Sequence, residues 1–156
     1  STGKVGYLRD KTLGCTPGSA RASYAIGIAN GNGVAVSTSA VDLTSSTGTC
    51  ILLPQTLTAW GPVAGTPVTN EKTKSYIVLE CKVQQNGVYL VGNASTFGKV
   101  YIPFGATWTQ GKKYTYTINI GNGSGGYDEN GNPLLAPISF TASASNWAAA
   151  SGNVNF

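Results

Sequence analysis

The chain has no histidine, and its charged residues are few: 10 basic and 6 acidic side chains among 156 residues. Histidine is the commonest general base in enzymes, so its absence excludes the Ser-His-Asp and Cys-His arrangements of nucleophilic catalysis. The acidic residues form no obvious pair, because Asp128 and Glu129 are neighbours in a turn, whereas a glycosidase needs two carboxyl groups that face each other. We therefore expect no catalytic residues and a protein that is not an enzyme.

Cysteine is also scarce, and the three that occur have no Cys-x-x-Cys spacing and no histidine to complete a zinc site. Cys81 lies in an alternating stretch and is predicted to be a small buried apolar residue. Cys15 and Cys50 adjoin loop-like sequence and can pair in an oxidising compartment. The odd number of cysteines leaves that disulfide open.

One stretch has the ligand spacing of a calcium loop, Asp128-x-Asn130-x-Asn132. Pro133 stands where such a loop needs glycine, and Ser139 stands where it needs a bidentate glutamate. A hairpin turn accounts for the same Gly- and Asn-rich residues better. The sequence thus predicts no bound metal and no cofactor.

The net charge of +4 comes from basic residues scattered singly or in pairs, without the basic stripe of a nucleic-acid-binding protein. No run of about twenty apolar residues is present, so no transmembrane segment is predicted. The Ser1-Thr2-Gly3 start is equally compatible with a processed N-terminus, from which an export signal has been removed, and with a truncated chain.

What the chain has in abundance is glycine, 21 residues, together with Thr, Ser, Asn and Val. Beta-branched residues pack well on a pleated sheet and glycine supplies positive φ in turns, so this composition predicts an all-β protein. Residues 114–120 show the pattern directly, since every second residue is apolar. The Asn30–Gly33 stretch and Asn86-Gly87 are typical of tight hairpin turns.

Short strands with polar connections such as 37–49 and 61–74 fit a β-sandwich or a closed barrel, and we favour the sandwich as one domain over 1–156. The predicted strands are 4–8, 22–29, 34–41, 49–53, 55–60, 75–83, 88–92, 99–104, 113–120, 135–144 and 153–156.

Large aromatic residues are the candidates for ligand binding. Trp60 and Trp108 stand at predicted strand ends, where an indole ring can stack on a sugar or seal the core. Core packing is the favoured role for both. A secreted or surface-anchored carbohydrate-binding module that uses Trp60 and Trp108 is kept as the alternative function.

The order and spacing of several segments resemble the fimbrillin-like proteins of the Bacteroides group, which are type V pilus subunits and related surface proteins. The likeness is strongest over residues 50–156. It lies in 53–60, 76–82, 100–104 with Trp108 and 111–116, 126–131, and 137–141 followed by Trp147 and the terminal Asn155-Phe156.

The resemblance implies a transthyretin-like Greek-key β-sandwich, export by the lipoprotein route, and a fimbrial location at the cell surface or outer membrane. It also implies a non-enzymatic structural or adhesive role, with other fimbrial subunits or surface ligands as partners. Family members usually have two such domains, whereas this chain has the length of one. Membrane attachment is expected only through a lipid anchor, whose cysteine segment this chain does not contain.

A strand-exchange mechanism follows from the resemblance, in which a strand donated by one subunit pairs with an open sheet edge of the next. The candidate donor is the C-terminal segment 153–156, where Val154 and Phe156 share a face and are the predicted subunit-interaction residues. The competing interpretation is that these residues form the last strand of a closed monomer.

Overall fold

The computed structural model describes residues 4–7, 13–16, 33, 35, 39–43, 52–71, 73–120, 126–134 and 138–146. Within these ranges the chain forms ten strands and one 3-10 turn, Val68–Asn70, with no α-helix. The strands are β1 Lys4–Tyr7, β2 Leu13–Thr16, β3 Gln55–Leu57, β4 Tyr76–Cys81, β5 Val83–Gln85, β6 Val88–Val91, β7 Gly98–Pro103, β8 Ala106–Trp108, β9 Lys112–Ile120 and β10 Ile138–Asn146. The all-β class predicted from composition is confirmed.

By its internal contacts the chain divides into two compact units, Ser1–Leu53 and Pro54–Phe156. The described part of the first unit contains one antiparallel pair, β1 with β2, in which Lys4 pairs with Thr16 and Tyr7 with Leu13. Strand β2 was not predicted. The strands predicted at 22–29 and 153–156 lie outside the described residues. The predictions of strands at 34–41 and 49–53 are wrong at the residues that are described, since 35, 39–41, 52 and 53 are not in strands. The single domain over 1–156 stays a prediction.

The centre of the second unit is a long antiparallel ribbon. Strands β4 and β5 follow one another in one direction, and β6 and β7 follow in the opposite direction. Strand β4 pairs with β7, and β5 pairs with β6. The β5–β6 turn is Asn86-Gly87, both at positive φ (50° and 80°), as the predicted hairpin requires.

Between β6 and β7 the returning strand is interrupted by the loop 92–97, whose ends almost touch. A Cβ on Gly98 would lie 2.5 Å from the Gly92 nitrogen, so only glycine fits there without backbone movement. The single strand predicted at 75–83 is therefore divided into two strands, β4 and β5, at the position opposite this loop.

The core lies on one face of the ribbon. Val100 and Ile102 of β7 are 0% and 2% exposed and pack with Cys81 and Val91. Alternation along β7 explains the burial, because residues 100 and 102 point to one face while 99 and 101 point to the other. The prediction for Cys81 is confirmed, and burial raises the pKa of its thiol.

Two further antiparallel pairs complete the second unit as described. Strand β8, which was not predicted, pairs with β3. Strands β9 and β10 pair over nine residues, from Lys112 opposite Asn146 to Ile120 opposite Ile138. Ile118 of β9 packs against the core cluster. Among the described residues no helix is both long and apolar enough to cross a membrane.

Candidate functional site

An aromatic cluster covers one end of the ribbon face opposite the core. Trp60 is only 5% exposed and meets Tyr76 and Tyr127 edge-on, with ring centroids 5.8 and 5.9 Å apart. Tyr76 in turn lies 6.0 Å from Tyr101. Edge-to-face contacts of this kind add to the stability gained from burial. This cluster gives Trp60 a packing role, which is the role the sequence favoured.

Tyr127 reaches the cluster because its backbone pairs with the free edge of β7. The amide of each residue in the Tyr101–Tyr127 pair donates to the carbonyl of the other, at 2.8 and 2.9 Å. The chain then turns back, and the amide of Leu134 donates to the carbonyl of Gly126 at 2.9 Å. Residues 126–134 thus form a small hairpin docked on the ribbon.

The turn of this hairpin is built around Asp128. Its Oδ1 accepts from the backbone amides of Asn130 and Asn132 at 2.8 and 2.9 Å, and its Oδ2 accepts from the Asn132 side-chain amide at 2.9 Å. These donors, the Asn132 side chain first, hold the pKa of Asp128 below its usual value. Both carboxylate oxygens therefore accept hydrogen bonds from N–H donors of the turn itself, which is the arrangement of the hairpin interpretation.

The hairpin tip is held against the loop 61–71. The Val68 amide donates to the carbonyl of Glu129 at 2.7 Å, and the Gly65 amide donates to Asn132 Oδ1 at 3.2 Å. At Gly131 the approach is so close that a Cβ would lie 2.5 Å from the carbonyl oxygen of Val63. Loop and hairpin thus form one closely fitted surface.

A shallow cleft of 210 Å³ lies beside this contact, with Trp60 at its inner wall. It is lined by Trp60, Gly61, Val63, Thr66, Pro67, Asn70 and Glu71. The Glu71 carboxylate is already engaged, since its Oε1 accepts from the amides of Thr73 and Lys74 at 2.6 and 2.8 Å. This volume is smaller than that of an ordinary ligand pocket.

Trp108 belongs to a separate aromatic cluster. It is half-buried, and its Nε1 donates to the hydroxyl of Tyr116 at 2.7 Å. The Phe104 ring contacts both, with centroids 6.3 Å from the Trp108 ring and 5.0 Å from the Tyr116 ring. The indole N–H is therefore satisfied within the protein, although part of the ring surface faces solvent.

The ribbon of β9 and β10 is the other candidate for interaction. Residues 141–146 of β10 are exposed at every position, so neither face of this half of the strand is covered. No described segment pairs with the outer edge of β10. The open end of the ribbon carries Lys112, whose Nζ donates to Oδ1 of Asn146 on the opposite strand.

The exposed tip of the central ribbon differs in character. Val88 is 64% exposed, and Tyr89 beside it is also exposed. Lys82 steadies the nearby loop, because its Nζ donates to the Ala94 carbonyl at 2.8 Å and lies 4.9 Å from the Phe97 ring centroid. The Lys82 ammonium group and the Phe97 ring therefore contact each other within the protein and need no external partner.

The structure describes only some of the predicted interaction residues. Trp60 and Trp108 lie in different aromatic clusters, while Val154, Phe156 and Trp147 lie outside the described residues. Cys50 also lies outside them, so the question of a disulfide with Cys15 stays open. Among the described side chains, no three of the His, Cys, Asp and Glu type lie close enough together to hold a metal ion.

Sequence reasoning missed the exposure of β10. The local pattern gave no signal of this exposure, since residues 138–146 alternate and contain no charge, which is typical of a half-buried strand. Comparison with known proteins finds no match among protein-family models, curated proteins or solved structures.

Proposed function

We propose that this protein is a non-enzymatic structural or adhesive protein of the bacterial cell surface, a fimbrial subunit or accessory protein of the type V pilus kind. Its fold is a Greek-key β-sandwich of the transthyretin-like type. The protein is exported, and its partners are other fimbrial subunits or surface ligands. The proposal begins from the resemblance over residues 50–156.

The observation that carries the proposal furthest is the exposed sheet edge. Strand β10 is nine residues long, its outer edge has no partner among the described residues, and its second half is exposed on both faces. An unpaired edge offers backbone N–H and C=O groups to an incoming strand. Assembly by strand addition needs such an edge and needs no catalytic group.

The donor in this mechanism is the segment 153–156, with Val154 and Phe156 on the inserted face. Replacing both by aspartate places two charges on that face and should prevent polymer formation, because a charged side chain cannot be buried without a partner. The matched control is Asn153→Asp with Asn155→Asp, which adds the same charge to the other face of the strand.

Polymers are counted by electron microscopy of the full-length protein in its assembling host, and folding is checked by circular dichroism of the purified chain. We expect V154D/F156D to be folded and unpolymerised, and the asparagine variants to polymerise. Normal polymers of V154D/F156D would refute donation by this segment.

Glycan binding is the second candidate, supported by the cleft beside Trp60 and by the solvent-facing part of Trp108. It ranks below assembly because Trp60 is nearly buried and the Trp108 N–H is already bonded. Quenching of tryptophan fluorescence by oligosaccharides, measured on the same purified variants, distinguishes the two, since strand addition predicts no quenching.

A further inference from the structure

From the register and composition of β10 we infer that its outer edge is an interface for a second copy of this chain. The two β10 strands would pair antiparallel about a two-fold axis at Ala142, which joins two β9–β10 ribbons into one four-stranded sheet. This inference goes beyond the proposed function, because it uses no terminal donor segment. It concerns the unassembled subunit, since in a polymer a donated strand would occupy the same edge.

The first argument is that the edge lacks protection. Natural sheets guard their edges with charges, proline, bulges or short strands. Strand β10 has nine residues, none of them charged or proline, and its pairing with β9 is regular from end to end. Such a strand is suited to pairing with another strand.

The second argument selects β10 over β9. Strand β9 begins with Lys112 and Lys113, and its Ile118 packs on the core cluster. The exposed half of β10, Thr141–Asn146, carries neither charge nor buried contact. A neutral edge that is open on both faces can therefore be approached by a second neutral strand without like-charge repulsion.

The third argument selects a second copy as the occupant. When β10 pairs with itself about Ala142, Thr141 falls opposite Ser143 of the second copy, and Ser139 falls opposite Ser145. Position 140 likewise falls opposite 144, which places phenylalanine across from alanine. From residue 139 to residue 145, hydroxyl residues thus fall opposite hydroxyl residues and apolar residues opposite apolar ones, and only the end pair, Ile138 with Asn146, is mixed.

The size of the contact sets the expected affinity. Nine paired residues extend over about 30 Å, and a single strand pair lies at the low end of interface sizes. A two-fold contact of this kind is isologous and closes at two copies. We therefore expect a reversible, concentration-dependent dimer.

The test is a charge series at positions 141 and 143, read by sedimentation of the full chain over a range of concentrations. In T141K/S143K each lysine faces a lysine of the second copy, and we expect dimerisation at least about tenfold weaker. In T141K/S143E each lysine faces a glutamate instead, and we expect dimerisation restored to within about threefold of the original.

The matched control is T56K/T107K, which adds the same charge to an exposed cross-strand pair of threonines in β3 and β8. It should dimerise like the unmodified chain. Circular dichroism confirms folding of each variant, and T141K/S143E keeps the test decisive if T141K/S143K fails to fold.

Three results would overturn the inference. The unmodified chain could stay monomeric, neither pair of charge substitutions could change the dimer affinity, or T141K/S143E could dimerise as weakly as T141K/S143K. Failure here is separable from failure of the proposed function. A dimer lost in V154D/F156D and kept in T141K/S143K would refute the β10 interface and support terminal donation.

Discussion

The two longest antiparallel pairs among the described residues, β4 with β7 and β9 with β10, have similar local sequence patterns and opposite surroundings. In β4 and β7 the inward positions pack into a closed core, and the outer face is partly covered by the aromatic cluster around Trp60. In β9 and β10 alternation is equally regular, yet residues 141–146 are exposed throughout. Alternation therefore specifies a strand without specifying what covers its faces.

This difference separates the ribbon that stabilises the fold from the ribbon whose surface is left exposed. Burial of apolar side chains is the main favourable term in folding, so the central ribbon carries much of the free energy of folding. The exposed half of β10 contributes little by burial, and no described segment pairs with its outer edge. Substitutions in the two ribbons should therefore have unequal effects on unfolding.

The largest effect is expected from Ile102→Ala in β7. This side chain is 2% exposed, so its truncation leaves a cavity and should lower the free energy of unfolding by about 3 to 4 kcal/mol. The matched change in the other ribbon is Ile120→Ala, at a residue that is 37% exposed, with an expected loss below about 1 kcal/mol. Urea unfolding measures both, and equal losses would contradict the comparison.

A smaller effect is expected where the hairpin tip meets the loop 61–71. Gly131→Ala places a Cβ against the Val63 carbonyl at a φ of 74° and should cost about 2 to 3 kcal/mol. Gly111→Ala is the control, because Gly111 has nearly the same φ, 72°, and open space around it, so only the backbone term of about 1 kcal/mol remains. Equal melting temperatures for the two alanine variants would show that the close approach of Gly131 to Val63 is unimportant for stability.

The smallest effect is electrostatic and depends on pH. The pKa of Asp128 is lowered in the folded protein, so its carboxylate stabilises the fold fully above the unfolded pKa of about 3.9. That stability is lost as the pH falls through the folded pKa. The side chain is close to the surface, so the change should be well under about 1 kcal/mol.

Asp128→Asn removes the titrating group, and we expect its unfolding free energy to fall less than that of the unmodified chain between pH 5 and 2.5. Glu129→Gln is the control, since its contact with Val68 uses only the backbone carbonyl. Parallel pH curves for D128N and the unmodified chain would exclude a role for this carboxylate in the turn.

Prediction from sequence succeeded where the signal is local. Asn86-Gly87 gave the correct hairpin because both residues tolerate positive φ, and alternation placed β7 and β9 to within a residue or two. It failed at β2 and β8, because strands of four and three residues carry too little pattern to separate them from loops. For the candidate site, the chain predicted the packing role of Trp60 but missed the exposure of β10.

The amino-acid order alone determined the all-β class, the hairpin turns and the alternating faces of the strands, because these depend on backbone sterics and on side chains two residues apart. Only the tertiary structure decided which faces are buried. It joined Trp60 to Tyr127 across 67 residues of sequence, directed the Asp128 oxygens toward N–H donors, and left the second half of β10 uncovered. Burial is set by segments distant in sequence, and no local pattern records which of them come together.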